Sequence, residues 1–259
     1  MIKENIKFQD STVFEGMTSI RAILNAYDSN FNDRKIERIF FDQARESKNA
    51  KELGYLKAVS TKYGYELIKT TSEEIEKMAL GSSHGGIIAQ TTARTIPPLS
   101  SASLISGNFF CMIEGIEDPY NFGYSLRSLY ACGCSGIILP ERNWMSAAGV
   151  VCRSSAGASE LLPAYTATAA DAADYFKALG FSIVCADEST DKILGKCELK
   201  LPILLIVGGE KRGISKKILE KADILVKIDY AREFRASLSA ASATTMFAYE
   251  IQRQNDIKL

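Results

Sequence analysis

The chain lacks an excess of charge of either sign, with 31 Lys and Arg residues against 31 Asp and Glu residues. Nucleic-acid-binding proteins usually carry a basic excess, so this balance counts against a uniformly basic surface and leaves only local patches as candidates. The sequence also lacks an apolar run of bilayer length, and residues 1–5 contain no signal-peptide core. From these absences we expect a cytoplasmic protein with no membrane partner.

Cysteine is absent from the first 110 residues, and the six cysteines that follow lie mostly in apolar segments. Such cysteines are typical of small buried side chains in a reducing compartment. Cys132 and Cys134 form the only close pair, and a zinc site would need further ligands that the neighbouring sequence does not supply. We therefore predict no metal.

Histidine is limited to one residue, His84, next to Gly85-Gly86. A general base needs a partner that orients it, and no Asp or Ser is placed by spacing to do so. The interpretation we favour is a turn residue that hydrogen-bonds locally. Arg34, Lys35 and Arg38 form a basic cluster that could meet phosphates, but a solvated loop offset by neighbouring acids is the simpler hypothesis.

A chain of 259 residues exceeds one average domain, and 46% hydrophobic with 24% charged residues describes an ordinary globular protein. We predict a small α/β domain over residues 1–95, a Ser- and Pro-rich linker over 96–106, and a second domain over 107–259. For the small domain, the hydrophobic pattern and a capping-box spacing predict six elements. They are a helix at 14–27, a strand at 38–41, a helix at 49–63, a strand at 66–69, a helix from 71–74 onward, and a strand at 85–90.

Short apolar strands alternate with helices in the second domain, which predicts a parallel sheet. The predicted strands are 109–116, 137–139, 181–186, 204–207 and 224–228. The predicted helices are 121–132, 143–155, 169–179, one from 215, and 237–253.

The first strand–helix–strand unit of this domain places polar residues where α/β folds bind ligands, at the carboxyl end of the sheet. Asn121 is predicted to cap the helix, Arg127 lies within it, and Gly133 ends it. A second such place follows the strand at 204–207, where Gly208-Gly209 would let a ligand lie against the main chain. A dinucleotide fingerprint needs a third glycine that is missing here, and a plain tight turn remains the alternative.

These segments resemble the motifs of the SpoU (TrmH) family of RNA 2′-O-ribose methyltransferases. The family's Pro-x-Asn-x-Gly loop and helical Arg match Pro119, Asn121, Gly123 and Arg127. Its Gly-x-Glu-x-x-Gly motif matches at Gly208, Glu210 and Gly213. Its third motif, Ser-Leu-Asn-Val-Ser, is matched in part by residues 237–241, and Ser83-His84-Gly85-Gly86-Ile87 resembles the end of the family's small domain.

Three departures from the family's pattern in and before the third motif bear on the site. Ser239 replaces the Asn, Ala241 replaces the second Ser, and Asp229-Tyr230 stands where the family usually has Pro-Met. The Asn is expected to order the site by hydrogen bonding, so its replacement bears directly on activity.

The resemblance implies a SPOUT-like parallel-sheet domain with a deep trefoil knot, S-adenosylmethionine as cofactor, a small RNA-binding domain in front, and a homodimer. Knots are nearly absent from proteins, so the knot rests on the resemblance alone. The implied catalytic residues are Arg127, Asn121, Glu210 and Ser239. The implied cofactor-binding residues are Val207, Gly208, Gly209, Ile228, Ser237 and Leu238.

The function that the resemblance implies is methyl transfer from S-adenosylmethionine to a ribose 2′-hydroxyl of structured RNA, either rRNA or tRNA. A non-catalytic RNA-binding protein with the same fold is the alternative, motivated by Ser239 and the neutral charge. A third hypothesis is a nucleotide-binding protein that uses the Gly208-Gly209 turn for phosphate, although no lysine follows in a phosphate-loop arrangement.

Overall fold

The computed structural model describes residues 12–102, 105–140, 147–209, 213–233 and 236–257. The strands are β1 (Val13–Glu15), β2 (Ile36–Asp42), β3 (Glu66–Thr70), β4 (Ile87–Thr91), β5 (Phe109–Glu114), β6 (Gly136–Leu139), β7 (Ala164–Thr166), β8 (Ser182–Ala186), β9 (Ile203–Gly208) and β10 (Ile224–Val226). The helices are α1 (Gly16–Asp28), α2 (Ala50–Tyr63), α3 (Ser72–Met78), α4 (Pro119–Ala131), α5 (Ala148–Ser154), α6 (Ala158–Leu161), α7 (Ala169–Ala178), α8 (Lys216–Leu219) and α9 (Ala240–Asn255).

The chain divides into two compact units, of which the first takes in Met1–Thr95 and Asn143–Leu161. The second takes in Ile96–Arg142 and Leu162–Leu259. We had assigned residues 143–161 to the second domain, but α5 and α6 pack with the first unit. Ala148 and Cys152 of α5 are buried in that unit's core, which explains the difference.

The first unit is built on a four-stranded sheet in the order β1-β4-β2-β3. β2 and β3 run parallel, while β4 runs antiparallel to both β1 and β2. The side chains that fill its core come from α1, α2, α5 and the strands, among them Phe14, Ile20, Leu56 and Ile39. The predicted start of α3 is confirmed, because the Thr71 side chain accepts a hydrogen bond from the Glu74 backbone N–H at the start of this helix.

His84 has the local role that we favoured from the sequence. Its side chain is buried, and its Nδ1 accepts a hydrogen bond from the Gly86 backbone N–H at 3.1 Å. The other ring nitrogen, Nε2, lies 3.1 Å from a carboxylate oxygen of Glu76. His84 therefore ties the end of α3 to the turn that precedes β4.

Both sequence-based interpretations of Arg34 were wrong. Its side chain is 1% exposed, and its Nε lies 3.0 Å from Oε2 of Glu160, which is 3% exposed. The guanidinium also stacks over the Phe14 ring, 4.5 Å from its centroid. Only Lys35 and Arg38 of the predicted basic cluster remain exposed.

The second unit contains a six-stranded sheet in the order β10-β8-β9-β5-β6-β7. Every pair of neighbours is parallel, which confirms the parallel sheet predicted from the alternation of strands and helices. β5 and β9 lie at its centre and are almost fully buried, as expected for strands covered on both faces. α7 and α8 cover one face, where Phe110, Phe176 and Phe181 pack with ring centroids 5.0–5.9 Å apart.

Part of the predicted linker, around residues 97–99, packs against the second unit. Leu99 is buried in the core of the second unit, and the Pro97 carbonyl accepts a hydrogen bond from the Thr166 backbone N–H at 2.9 Å. Two short strands, β1 and β7, were not predicted, because three residues are too few for a periodic pattern.

The six cysteines carry free thiols, and five of them are buried. Burial raises the pKa of the Cys134, Cys152 and Cys185 thiols to about 12. Within the described residues, no group of three or more His, Cys, Asp or Glu side chains is placed to hold a metal ion. None of the helices in the described ranges has both the length and the apolar character needed to cross a bilayer.

Candidate active site

A cavity of about 360 Å³ opens at the carboxyl ends of β8, β9 and β10 in the second unit. Its floor is formed by the last residues of these strands, and its walls by the segments that follow them and by one side of α9. All six residues that we assigned to cofactor binding line it: Val207, Gly208, Gly209, Ile228, Ser237 and Leu238.

The two glycines after β9 are required by close contacts between main-chain segments. A Cβ atom on Gly208 would lie 2.6 Å from the backbone carbon of Gly213, and one on Gly209 would collide with the carbonyl oxygen of Gly115. The Gly213 backbone N–H also donates to the Gly209 carbonyl at 3.0 Å. Gly208 and Gly209 therefore permit these close main-chain contacts, and both also line the cavity.

The cavity also has a polar wall that sequence reasoning missed. It is formed by Asp187, Glu188 and Ser189, which follow β8, and by Lys227, which follows β10. Their position directly after strands of the predicted sheet was the available signal, because neighbouring parallel strands end at the same edge.

Tyr230, one of the departures from the family's third motif, lines the cavity as well. Its hydroxyl accepts a hydrogen bond from the backbone N–H of Leu238 at 3.2 Å. This bond joins the two ends of the segment between β10 and α9. The departure therefore supplies a contact that shapes the cavity wall.

Ser239 does not line the cavity but caps α9. Its Oγ accepts a hydrogen bond from the Ser242 backbone N–H at 3.2 Å. The helix consequently begins at Ala240, later than the predicted start at residue 237. Glu210, the remaining acid of the second motif, lies outside the described residues.

α4 carries the other two residues that we assigned to catalysis. Asn121 lies in its first turn and is not the cap: Asp118 caps the helix, accepting from the backbone N–H groups of Tyr120 and Asn121 at 3.3 and 3.0 Å. Aspartate caps a helix as well as asparagine does, and proline is well suited to the first helical position. Asp118-Pro119 therefore starts the helix, whereas the sequence predicted that it only ends the strand before it.

Arg127 is exposed on α4 and shows no hydrogen bond or ion pair to the described part of the chain. Neither Arg127 nor Asn121 belongs to the cavity lining. The helix is nevertheless fixed near the cavity, because β5 leads into it and Glu114, the last residue of β5, pairs with Gly208 of β9. α4 also packs against α9, where the hydroxyls of Ser128 and Thr245 lie 2.6 Å apart.

Comparison with known proteins gives matches over most of the chain. The model of the SpoU rRNA Methylase family matches residues 108–249. A 23S rRNA (guanosine-2′-O-)-methyltransferase, RlmB, from Ralstonia nicotianae is 26% identical over 229 residues, covering 86% of this chain and 90% of the relative. The protein of the same name from Shewanella oneidensis is 28% identical over 197 residues, covering 74% and 80%.

Among solved structures, the SpoU methyltransferase AviRb from Streptomyces viridochromogenes, in complex with the cofactor AdoMet, has the same fold. The TM-score is 0.75 at 24% identity, covering 93% of this chain and 89% of the other. The family model covers more than half of the chain, including the glycine turn, the cavity segments and the α4 motif. The chain belongs to the SpoU rRNA methylase family.

Proposed function

We propose that this protein transfers a methyl group from S-adenosylmethionine to a ribose 2′-hydroxyl of structured RNA, either rRNA or tRNA. The observation that supports it most is the cavity at the carboxyl edge of the sheet. Residues from two separate family motifs, Gly208-Gly209 and Ser237-Leu238, meet in its lining.

The cavity fits the cofactor in size and in chemistry. Its volume of about 360 Å³ lies in the range of roughly 300–1,000 Å³ that is typical of small-molecule sites. Val207, Ile228 and Leu238 offer apolar contact for an adenine ring, and the main chain at Gly208 offers hydrogen-bonding groups. When bound, S-adenosylmethionine supplies an activated methyl group on a sulfonium.

Arg127 is proposed to bind the RNA phosphate and orient the 2′-hydroxyl for attack. A guanidinium stays protonated in proteins and matches phosphate geometry, which favours this role over that of a general base. Its exposure leaves the guanidinium accessible to a substrate. Asn121 and Glu210 are proposed to order the segments around it, and Ser239 to act through its cap on α9.

A homodimer is part of the proposal. Five large side chains on α4 and α9, two helices that pack against each other, are exposed: Tyr120, Tyr124, Tyr130, Met246 and Tyr249. We call these five residues the aromatic face. Exposed apolar patches of this kind mark protein interfaces, and a second copy of the chain is the occupant that we propose.

The remaining parts of the proposal concern the fold and the substrate. The trefoil knot is proposed from the likeness in fold to a SpoU methyltransferase structure. The small α/β unit is proposed to bind RNA, as the front domain does in the family. Because rRNA and tRNA are cytoplasmic molecules in bacteria, the proposed place of action is the cytoplasm.

Two measurements test the function. Calorimetry with S-adenosylmethionine should give saturable binding, and radiolabelled cofactor with total rRNA and tRNA should yield 2′-O-methylnucleosides after nuclease digestion. Binding of RNA without transfer to any RNA would favour the non-catalytic alternative. Absence of cofactor binding at millimolar concentration would contradict the proposal.

A further inference from the structure

Asp187 occupies a fixed place in the wall of the cavity. It directly follows β8, and its backbone N–H donates to the Val226 carbonyl of β10 at 3.0 Å. Ala186, the residue before it, pairs with Val207 of β9, so Asp187 stands one strand away from the Gly208 turn at the same edge of the sheet. A side chain in this place lies beside any ligand that rests on the glycines.

The Asp187 carboxylate is held by one oxygen only. Oδ1 accepts hydrogen bonds from the backbone N–H of Ser189 at 2.8 Å and from the Ser189 hydroxyl. Oδ2 makes no hydrogen bond or ion pair with the described residues. An ionised carboxylate offers about four acceptor positions, so one oxygen fixes the orientation and the other remains able to bind a donor.

A nucleoside presents a matching pair of donors, the adjacent 2′- and 3′-hydroxyls of its ribose. In dinucleotide-binding α/β folds, an acidic residue beyond a parallel strand accepts from the ribose 2′-hydroxyl while the glycine turn of another strand approaches the ligand. The arrangement here has the same two parts at one edge: a glycine turn after β9 and an acid after β8.

We propose that Asp187 binds the ribose hydroxyls of the cofactor's nucleoside through its carboxylate. The inference rests on the proposed function, since it concerns the same cavity. It assigns to Asp187 a role in holding the nucleoside that is independent of the methyl group, so it applies equally to cofactor and product.

The test is a thermodynamic cycle in which calorimetry measures the dissociation constant of each protein–ligand pair. The ribose hydroxyls are removed in the ligand and the carboxylate is removed in the protein. The ligands are S-adenosylhomocysteine and its 2′-deoxy and 3′-deoxy analogues, and the proteins are wild type and Asp187→Ala. Wild type should bind at least one deoxy analogue about tenfold more weakly, as expected for a lost hydrogen bond to a charged group. Asp187→Ala should bind S-adenosylhomocysteine about tenfold more weakly and show no further loss with that analogue.

Two further variants sharpen the test. Asp187→Asn keeps the size of the side chain and an oxygen that can accept from Ser189, so it should fold normally and show an intermediate loss. Glu188→Ala changes the neighbouring cavity residue and should leave the effect of removing the hydroxyl as large as in wild type.

The two proposals fail in different ways. If wild type binds S-adenosylhomocysteine but the losses from hydroxyl and carboxylate are additive, the assignment of Asp187 is overturned and the proposed function stands. If Glu188→Ala, rather than Asp187→Ala, removes the extra loss caused by the missing hydroxyl, the ribose contact belongs to Glu188. The assignment of Asp187 is then also overturned. If wild type binds neither S-adenosylmethionine nor S-adenosylhomocysteine, both proposals fall together.

Discussion

Arg34 and Glu160 form a buried ion pair of 3.0 Å across 126 residues of sequence. The Glu160 carbonyl also accepts from the Asn32 side chain at 2.8 Å, so the same residue is held by both its main chain and its carboxylate. The ion pair holds α6 against the rest of the first unit.

Removing the charge of Glu160 should therefore destabilise the protein. Breaking one side of a buried pair leaves an uncompensated charge and costs on the order of 3–5 kcal/mol. We expect Glu160→Gln to lower the free energy of unfolding by this amount in urea denaturation. Glu66→Gln is the matched control, because Glu66 faces Arg38 at 4.0 Å with 68% of its side chain exposed. A loss at Glu160 no larger than at Glu66 would contradict the prediction.

Arg127→Ala should abolish methyl transfer while the affinity for S-adenosylmethionine changes by less than about threefold, because Arg127 is assigned to the RNA side of the site. Its exposure predicts an unchanged melting temperature. Arg127→Lys keeps the charge and should retain part of the activity if the residue binds phosphate. Calorimetry and a transfer assay are run on the same samples, and equal loss of binding and transfer would refute this division of roles.

Ser239 caps α9, and we propose that it also affects cofactor affinity through the start of that helix; different substitutions should separate the two effects. Ser239→Ala removes the cap of α9 and should cost about 0.5–2 kcal/mol of stability, whereas Asn is as good a cap and should cost nothing. Ser239→Asn restores the family's residue and should tighten cofactor binding by about threefold to tenfold, the value of one hydrogen bond. Chemical denaturation and calorimetry measure the two effects, and unchanged affinity in the Asn variant would show that the departure is neutral.

The aromatic face predicts a dimer that one charge should disrupt. Wild type at micromolar concentration should sediment at about twice 28.4 kDa. Tyr249, 60% exposed on α9, is the most exposed large apolar residue of the face, and Tyr249→Glu should shift the protein to monomer. Leu179→Glu changes a residue of similar exposure, 51%, beyond the end of α7 and should leave the dimer intact. If wild type sediments as a monomer, the proposed homodimer is wrong.

The thiols should differ sharply in reactivity. The thiolate attacks a disulfide reagent, and burial raises the pKa of all six thiols; five of them are also covered, whereas Cys197 is only half-buried. We expect one thiol, Cys197, to react quickly in the native protein at pH 8 and all six to react in urea. Cys197→Ser should abolish the fast phase. Rapid reaction of a second thiol would show that a buried cysteine is accessible.

The same thiols make stability fall in alkali. For Cys134, Cys152 and Cys185, the folded pKa of about 12 lies above the ordinary value of 9.0. The folded state therefore retains protons that the unfolded state loses, and stability present below pH 9 declines as pH rises towards 12. Urea midpoints measured between pH 8 and pH 10.5 should fall less in Cys185→Ala than in wild type.

The sequence predicted most elements because their signals are local. The short apolar strands, the Thr71 cap of α3 and the glycines that end β9 each depend on neighbours in sequence, and each is present in the structure. The residues that line the cavity were found through the resemblance to the family's motifs, which links segments that lie far apart along the chain.

What the sequence did not reveal depends on contacts between distant segments. Arg34 could not be recognised as buried without knowing that Glu160 meets it, and α5 could not be assigned to the first unit without the core that receives Cys152. Asp187 carries no motif, and it becomes a candidate only once β8 is placed next to β9. The cap at Asp118 is a local feature that was also missed, because Asp and Asn cap a helix equally well and Asp118-Pro119 is equally typical of a break after a strand.

Residues 143–161 belong to the first unit although they lie between two strands of the second, which limits how the two units could be exchanged in evolution. The chain passes between the units three times, after residues 95, 142 and 161. A gene fusion that joined another front module at residue 95 would leave α5 and α6 without the core that they complete, and Glu160 without Arg34. Exchange of the first unit for another module would therefore require replacement of two stretches of the chain, residues 1–95 and the segment between β6 and β7.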